Sequence, residues 1–110
     1  MSIPKIKVAV VSNVFTRMMH FKNVGDTEKG QLHDYDHITL LASGSLKIIV
    51  EEQETVFTAP HLIFIHRNKH HDLIALEDNT VACCIHGIHS DELCEQLIDP
   101  LIIPKYRTVD

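Results

Sequence analysis

Short apolar, β-branched-rich stretches, of which 5–11 alternates with a period of two, are separated along this chain by turn-forming residues. Residues 5–11, 17–22, 37–42, 46–51, 55–59, 62–66, 71–77 and 80–87 each read as a strand. The intervening signals are a turn over 12–16, a polar loop over 23–30 with Gly25 and Gly30, and a polar approach over 31–36. Further along come Ser43-Gly44, Glu52-Gln53, the Pro60-His61 break, a polar turn over 67–70 and Asp78-Asn79. Eight or nine short strands at such regular spacing predict an all-β sandwich or barrel. One helix is predicted, over 91–98, with Ser90 as N-cap, Asp91 and Glu92 in its first turn and Pro100 as its stop. The apolar stretch 101–104 then packs back onto the barrel or onto a neighbouring subunit.

Strand parity sorts the side chains. His37, Thr39 and Leu41 share one face, and Ile38, Leu40 and Ala42 the other. Leu46, Ile48 and Val50 are apolar as well. A sheet apolar on both faces has to bury both. The barrel interior covers one, and a second copy of the chain covers the other, so a homodimer is expected.

The chain has 110 residues, the size of one domain over 1–110, with a barrel over about 5–87 and the helix and tail over 90–110. The 45% hydrophobic and 23% charged composition is that of a globular protein. A net charge of −5 offers no general attraction to phosphate backbones, which argues against nucleic acid as partner. No apolar run approaches membrane-spanning length. The first residues, with Lys5 and Lys7 before VAVV, lack a small-residue cleavage site and read as an edge strand, not a signal peptide. Three cysteines, Cys83, Cys84 and Cys94, are most simply reduced thiols of a cytoplasmic protein.

Nine histidines are many for this length. Neutral imidazole offers a nitrogen lone pair near neutral pH, which makes histidine the commonest metal ligand. Two histidines, His33 and His37, fall in the segment from Gly25 to Gly44, GDTEKGQLHDYDHITLLASG. Gly25, Gln31, His33, His37 and Gly44 keep the spacing G-x5-H-x-H-x3-E-x6-G, with Gln31 at the first His and His37 at the Glu. Fifteen residues later the pattern G-x5-P-x-G-x2-H-x3-N is met literally only at His71, with Pro60 and Asn68 at its two Gly positions, His66 at the Pro and Ala75 at the Asn. In these two motifs the chain resembles a small single-domain cupin.

The resemblance implies a jelly-roll β-barrel with a metal held inside it. Its ligands would be His33, His37 and His71, with Gln31 as a fourth through its amide oxygen or as a hydrogen-bond partner of the ligands. His70 is the neighbouring alternative to His71, which is preferred because Leu73 then points inward. His66 and His70 also form an H-x3-H pair, but the flanks read as strands and not as the helix a zinc site of that spacing needs. Three imidazoles leave the double charge of a divalent ion uncompensated, unlike a 2-His-1-carboxylate set. Such a site favours an anionic ligand: a thiolate, enolate or carboxylate. Cupins with three-histidine sites include thiol dioxygenases and a β-diketone-cleaving dioxygenase that use Fe(II). The resemblance therefore points to an Fe(II) dioxygenase acting on a small anionic molecule. Zn, Ni or Mn as Lewis acid for isomerase or lyase chemistry, and a non-catalytic ligand-binding or sensor cupin, are the alternatives. His20, Tyr35 and His86 are candidates for proton transfer or substrate contact. His86 shares a strand face with Cys84, and Cys83 shares one with Val81 and Ile85; parity alone leaves open which set faces in.

Overall fold

The computed structural model describes residues 2–31, 36–67 and 69–87. Nine strands form there: β1 (Lys5–Val11), β2 (Val14–Phe21), β3 (Thr27–Gln31), β4 (His37–Ser43), β5 (Ser45–Val50), β6 (Gln53–Thr58), β7 (His61–Ile65), β8 (His71–Ala75) and β9 (Thr80–Gly87). They make a five-stranded sheet in the order β1-β2-β9-β4-β7 and a four-stranded sheet in the order β3-β8-β5-β6. Every pairing is antiparallel. The all-β expectation holds, and β1 is the edge strand that its sequence suggests. The helix expected over 91–98 lies outside the described residues, as does Cys94.

Two local readings need correction. The turn expected over 12–16 occupies only Ser12 and Asn13, because Val11 already pairs with Val14. Ser12 takes φ +56°, which lets a two-residue connection match the twist of its strands. β3 begins within the polar loop expected over 23–30 and ends at Gln31, paired with β8 through Thr27↔Ile74 and Glu28↔Leu73 and bulged before Gln31↔His71. Polar composition hid it. Thr27 and Glu28 are both buried, and a buried polar strand does not show hydrophobic alternation. Thr27 Oγ1 donates to the Gly25 carbonyl at 2.9 Å, and Glu28 accepts from Arg17 at 2.6 Å, which offsets the cost of burying them.

The β5–β6 hairpin is sharper than its residues advertise. Val50 pairs with Gln53, and both central residues, Glu51 and Glu52, have positive φ. That is the geometry a two-residue hairpin needs, here without glycine. At the β4–β5 turn glycine is required. Gly44 has φ +82°, and a Cβ there would stand 2.2 Å from the Thr80 hydroxyl and 2.8 Å from the Thr80 Cα. Thr80 is itself fully buried. Its hydroxyl donates to the Glu77 carbonyl at 2.9 Å and lies 3.3 Å from both the amide and the carbonyl of Ser45.

The two sheets face each other, and register stacks their inward side chains in rungs. At one end Met19, Ala82 and Leu41 form a rung across β2, β9 and β4. Leu46 and Ala75 form the opposing rung on β5 and β8. With Phe21 they are buried and wholly apolar. A middle layer holds Ile48, Leu73 and Ile63. Towards the other end histidines enter the inward positions beside Phe15 and Ile65, and that change marks the candidate site.

Candidate functional site

Alternation along β4 places His37 inward beside Thr39 and Leu41, in line with the expected parity, and β8 does the same for His71, Leu73 and Ala75. His37 and His71 are only 5% and 4% exposed. They come from opposite sheets, yet their ring centroids are 6.1 Å apart at an interplanar angle of 50°. Both ring nitrogens of His37 are closed off from solvent. The register Ile38↔Ile85, continued by one step, sets His86 across from His37. His86 is also buried, so the Ala82-Cys84-His86 face of β9 is the inward one.

His71 is held in one tautomer. Its Nδ1 lies 3.1 Å from the Lys69 carbonyl oxygen, an acceptor only, so Nδ1 carries the proton and Nε2 keeps its lone pair. Burial pushes the imidazole pKa below its ordinary value, which keeps the ring neutral near pH 7. Both effects suit a metal ligand. His70 is exposed, so the structure places His71, not its neighbour, in the interior. Gln31 stands opposite His71 in the β3–β8 register. His33 and Tyr35 lie outside the described residues.

One rung deeper the interior holds a group that the sequence reading missed. Arg17 pairs in register with Cys84, which pairs in turn with Thr39, so Arg17 shares the inward face with Phe15 and Met19. From β2 its guanidinium reaches the opposite sheet and donates to Glu28 Oε2 through Nη2 at 2.6 Å. The side chains are 23% and 10% exposed. The signal was present in the parity of Arg17 with Met19 and Phe21. It was overlooked because the partner lay in a segment read as loop. Beside the pair, Thr39 Oγ1 and Cys84 Sγ are 3.5 Å apart. Burial raises the Cys84 thiol pKa, and the outward-facing Cys83 thiol is raised for the same reason. Both are free thiols and not poised thiolates.

His20 lies elsewhere. It pairs with Lys5 and Val81 on the outward face of β2, and its Nε2 is 3.0 Å from Asn79 Oδ1. The structure therefore places it outside the barrel interior. His61 and His66 are exposed and pack against Phe57 and Phe64, with ring centroids 4.9 and 4.6 Å apart.

Among the described residues no three His, Cys, Asp or Glu side chains converge on one ion position. The two that approach it fit the role. Imidazoles sharing a tetrahedral ion, with N–metal bonds of about 2.0–2.1 Å, place their rings roughly 5 Å apart. The observed separation is about an ångström wider. The donor set is neutral nitrogen, suited to Zn, Cu, Fe or Ni.

No family model matches the chain, and no curated protein matches its sequence. Solved structures do match. KdgF from Halomonas sp. superposes with a TM-score of 0.66 at 16% identity, over 78% of this chain and 81% of that one. An RmlC-like cupin family protein with a double-stranded β-helix fold, from Methanocaldococcus jannaschii, gives 0.69 at 9% identity over 81% and 84%. A cupin 2 domain-containing protein from Halorhodospira halophila gives 0.66 at 16% identity over 98% and 86%. At these identities the likeness is one of fold. With the two facing sheets and the spacing from Gly25 to Gly44, it establishes that this chain has the cupin fold.

Proposed function

We propose that this chain is a metal-dependent cupin enzyme of the Fe(II) dioxygenase type, acting on a small anionic molecule. The observation that carries the reading is the buried His37–His71 pair, contributed by opposite sheets and 6.1 Å apart, with the His71 tautomer held by the Lys69 carbonyl. His37 and His71 would hold the ion together with His33, and Gln31 would join them through its amide oxygen or by a hydrogen bond to a ligand. Fe(II) is favoured by the resemblance to three-histidine dioxygenases; Zn, Ni and Mn are the alternatives. The ion supplies Lewis acidity and, as iron, a redox centre. The protein's part is to keep the donors neutral, dry and fixed, so that the ion's positive charge is left to attract an anion.

Oxygen uptake tests this. Iron-loaded protein is expected to consume O2 with a thiol or a β-diketone, and His71→Ala to lose that consumption. Retained binding of these molecules without oxygen uptake would point to the binding-module reading.

The outward face of the five-stranded sheet supports a homodimer. Leu62 and Phe64 are 67% and 56% exposed there and continue through Leu40 and Ile38 to Ile85 in register. Sedimentation at micromolar concentration should give twice the chain mass; a monomer would refute the dimer.

A further inference from the structure

We propose that Arg17 is the anion anchor of the barrel interior: its guanidinium binds a carboxylate of the ligand, and Glu28 is the internal carboxylate that holds it in position until the ligand arrives. This rests on the reading of the interior as a small-molecule site, and it names the group that site selects.

Four observations carry it. Arg17 sits one rung below His37 and His86 on the same inward face, so a ligand small enough to meet the histidines also meets the guanidinium. Its hold on Glu28 is a single contact, Nη2 to Oε2 at 2.6 Å. Glu28 is its one side-chain partner among the described residues. A guanidinium has five N–H donors in a planar fork, so most of its capacity for a carboxylate remains uncommitted.

Exposure is asymmetric as well. The Arg17 side chain is 23% exposed and the Glu28 side chain 10%, so the cation is the more accessible member of the pair. Finally, stability does not account for the pair. An ion pair removed from water contributes little compared with well-packed apolar side chains, and the rungs beneath it, Met19 with Ala82 and Leu41, are apolar. A part-buried cation on that wall attracts anions more strongly than one in bulk solvent.

Titration calorimetry with sodium malonate on metal-stripped protein tests the assignment without the ion. Malonate is expected to bind the wild type, and neutral malonamide not to bind. Arg17→Lys should weaken malonate about tenfold, since it keeps the charge and loses the fork. Arg17→Met should abolish binding. Glu28→Gln should tighten it about tenfold by removing the competing carboxylate. Glu28→Gln and Arg17→Lys keep the test decisive if Arg17→Met does not fold. Failure of malonate to bind the wild type, or equal affinity in Arg17→Lys and Glu28→Gln, would overturn the proposal. Metal content of the same variants separates the two readings. Malonate binding through Arg17 in a protein that takes up no metal leaves the anchor and removes the metal enzyme. Metal uptake with malonate indifferent to Arg17 does the reverse.

Discussion

The two ends of this barrel are built from the same strands, and one of them replaces several inward apolar side chains with histidines. At one end β2, β4 and β9 contribute Met19, Leu41 and Ala82, and β5 and β8 contribute Leu46 and Ala75. At the other, the same β4 contributes His37, β8 contributes His71 and β9 contributes His86. Period-two geometry serves both ends alike: every second residue faces in, whatever its chemistry. The apolar end gains free energy from burial, while the histidine end places imidazoles, a guanidinium and a carboxylate in low dielectric, where each costs free energy unless partnered. The comparison teaches that the apolar end holds the fold together firmly enough for the polar end to be specified by chemistry.

Breaking the apolar end should have the largest effect on stability. Leu41→Ala removes a fully buried side chain from a packed rung and is expected to cost about 2–5 kcal/mol in urea unfolding. The folded fraction should still bind metal with unchanged stoichiometry, because His37 lies two rungs away. Next is the turn that closes this end. Gly44→Ala meets both a positive φ and the Thr80 backbone, and should cost about 1–3 kcal/mol in the same measurement. Thr80→Ser should leave Gly44→Ala destabilised, since the Thr80 Cα that crowds the new methyl is still present.

The smallest effect concerns Asp26, which ties the chain before β3. The amide of Asn23 first, and the hydroxyl of Ser2 as well, hold its carboxyl pKa below the usual value. A depressed carboxyl contributes stability that is complete above its unfolded pKa of about 3.9 and is lost as the pH falls through the folded value. Melting temperatures recorded from pH 6 down to pH 2.5 should therefore drop more steeply for the wild type than for Asp26→Asn. Parallel curves would remove Asp26 from the acid response.

Much of this was legible in the sequence, and the failures have physical causes. β4, β5, β8 and β9 announce themselves as short apolar runs bounded by turn-forming residues. Parity grouped His37-Thr39-Leu41 and His71-Leu73-Ala75, and the interior metal site implied by the cupin resemblance marked those faces as the inward ones. β3 was not legible, because its inward residues are polar and their partners are distant: Glu28 is satisfied by Arg17, eleven positions earlier in the chain and on the opposite sheet. The start of β2 was misplaced because a two-residue turn at Ser12-Asn13 carries no glycine. Which face of β9 points inward could not be decided from a strand with apolar and polar residues in both sets. Pairing settles it, since Ala82 and Cys84 meet Leu41 and Thr39.

The claim at the centre of this account is that the histidine end holds a metal ion through His37 and His71. The direct measurement is metal content by mass spectrometry on tag-free protein, beside His37→Ala and His71→Ala, after incubation with Fe, Zn, Ni and Mn in turn. The account predicts about one ion per chain in the wild type and loss of that ion in each variant, with the β-sheet spectrum retained. An empty wild type, or an ion held equally well by both variants, would contradict it.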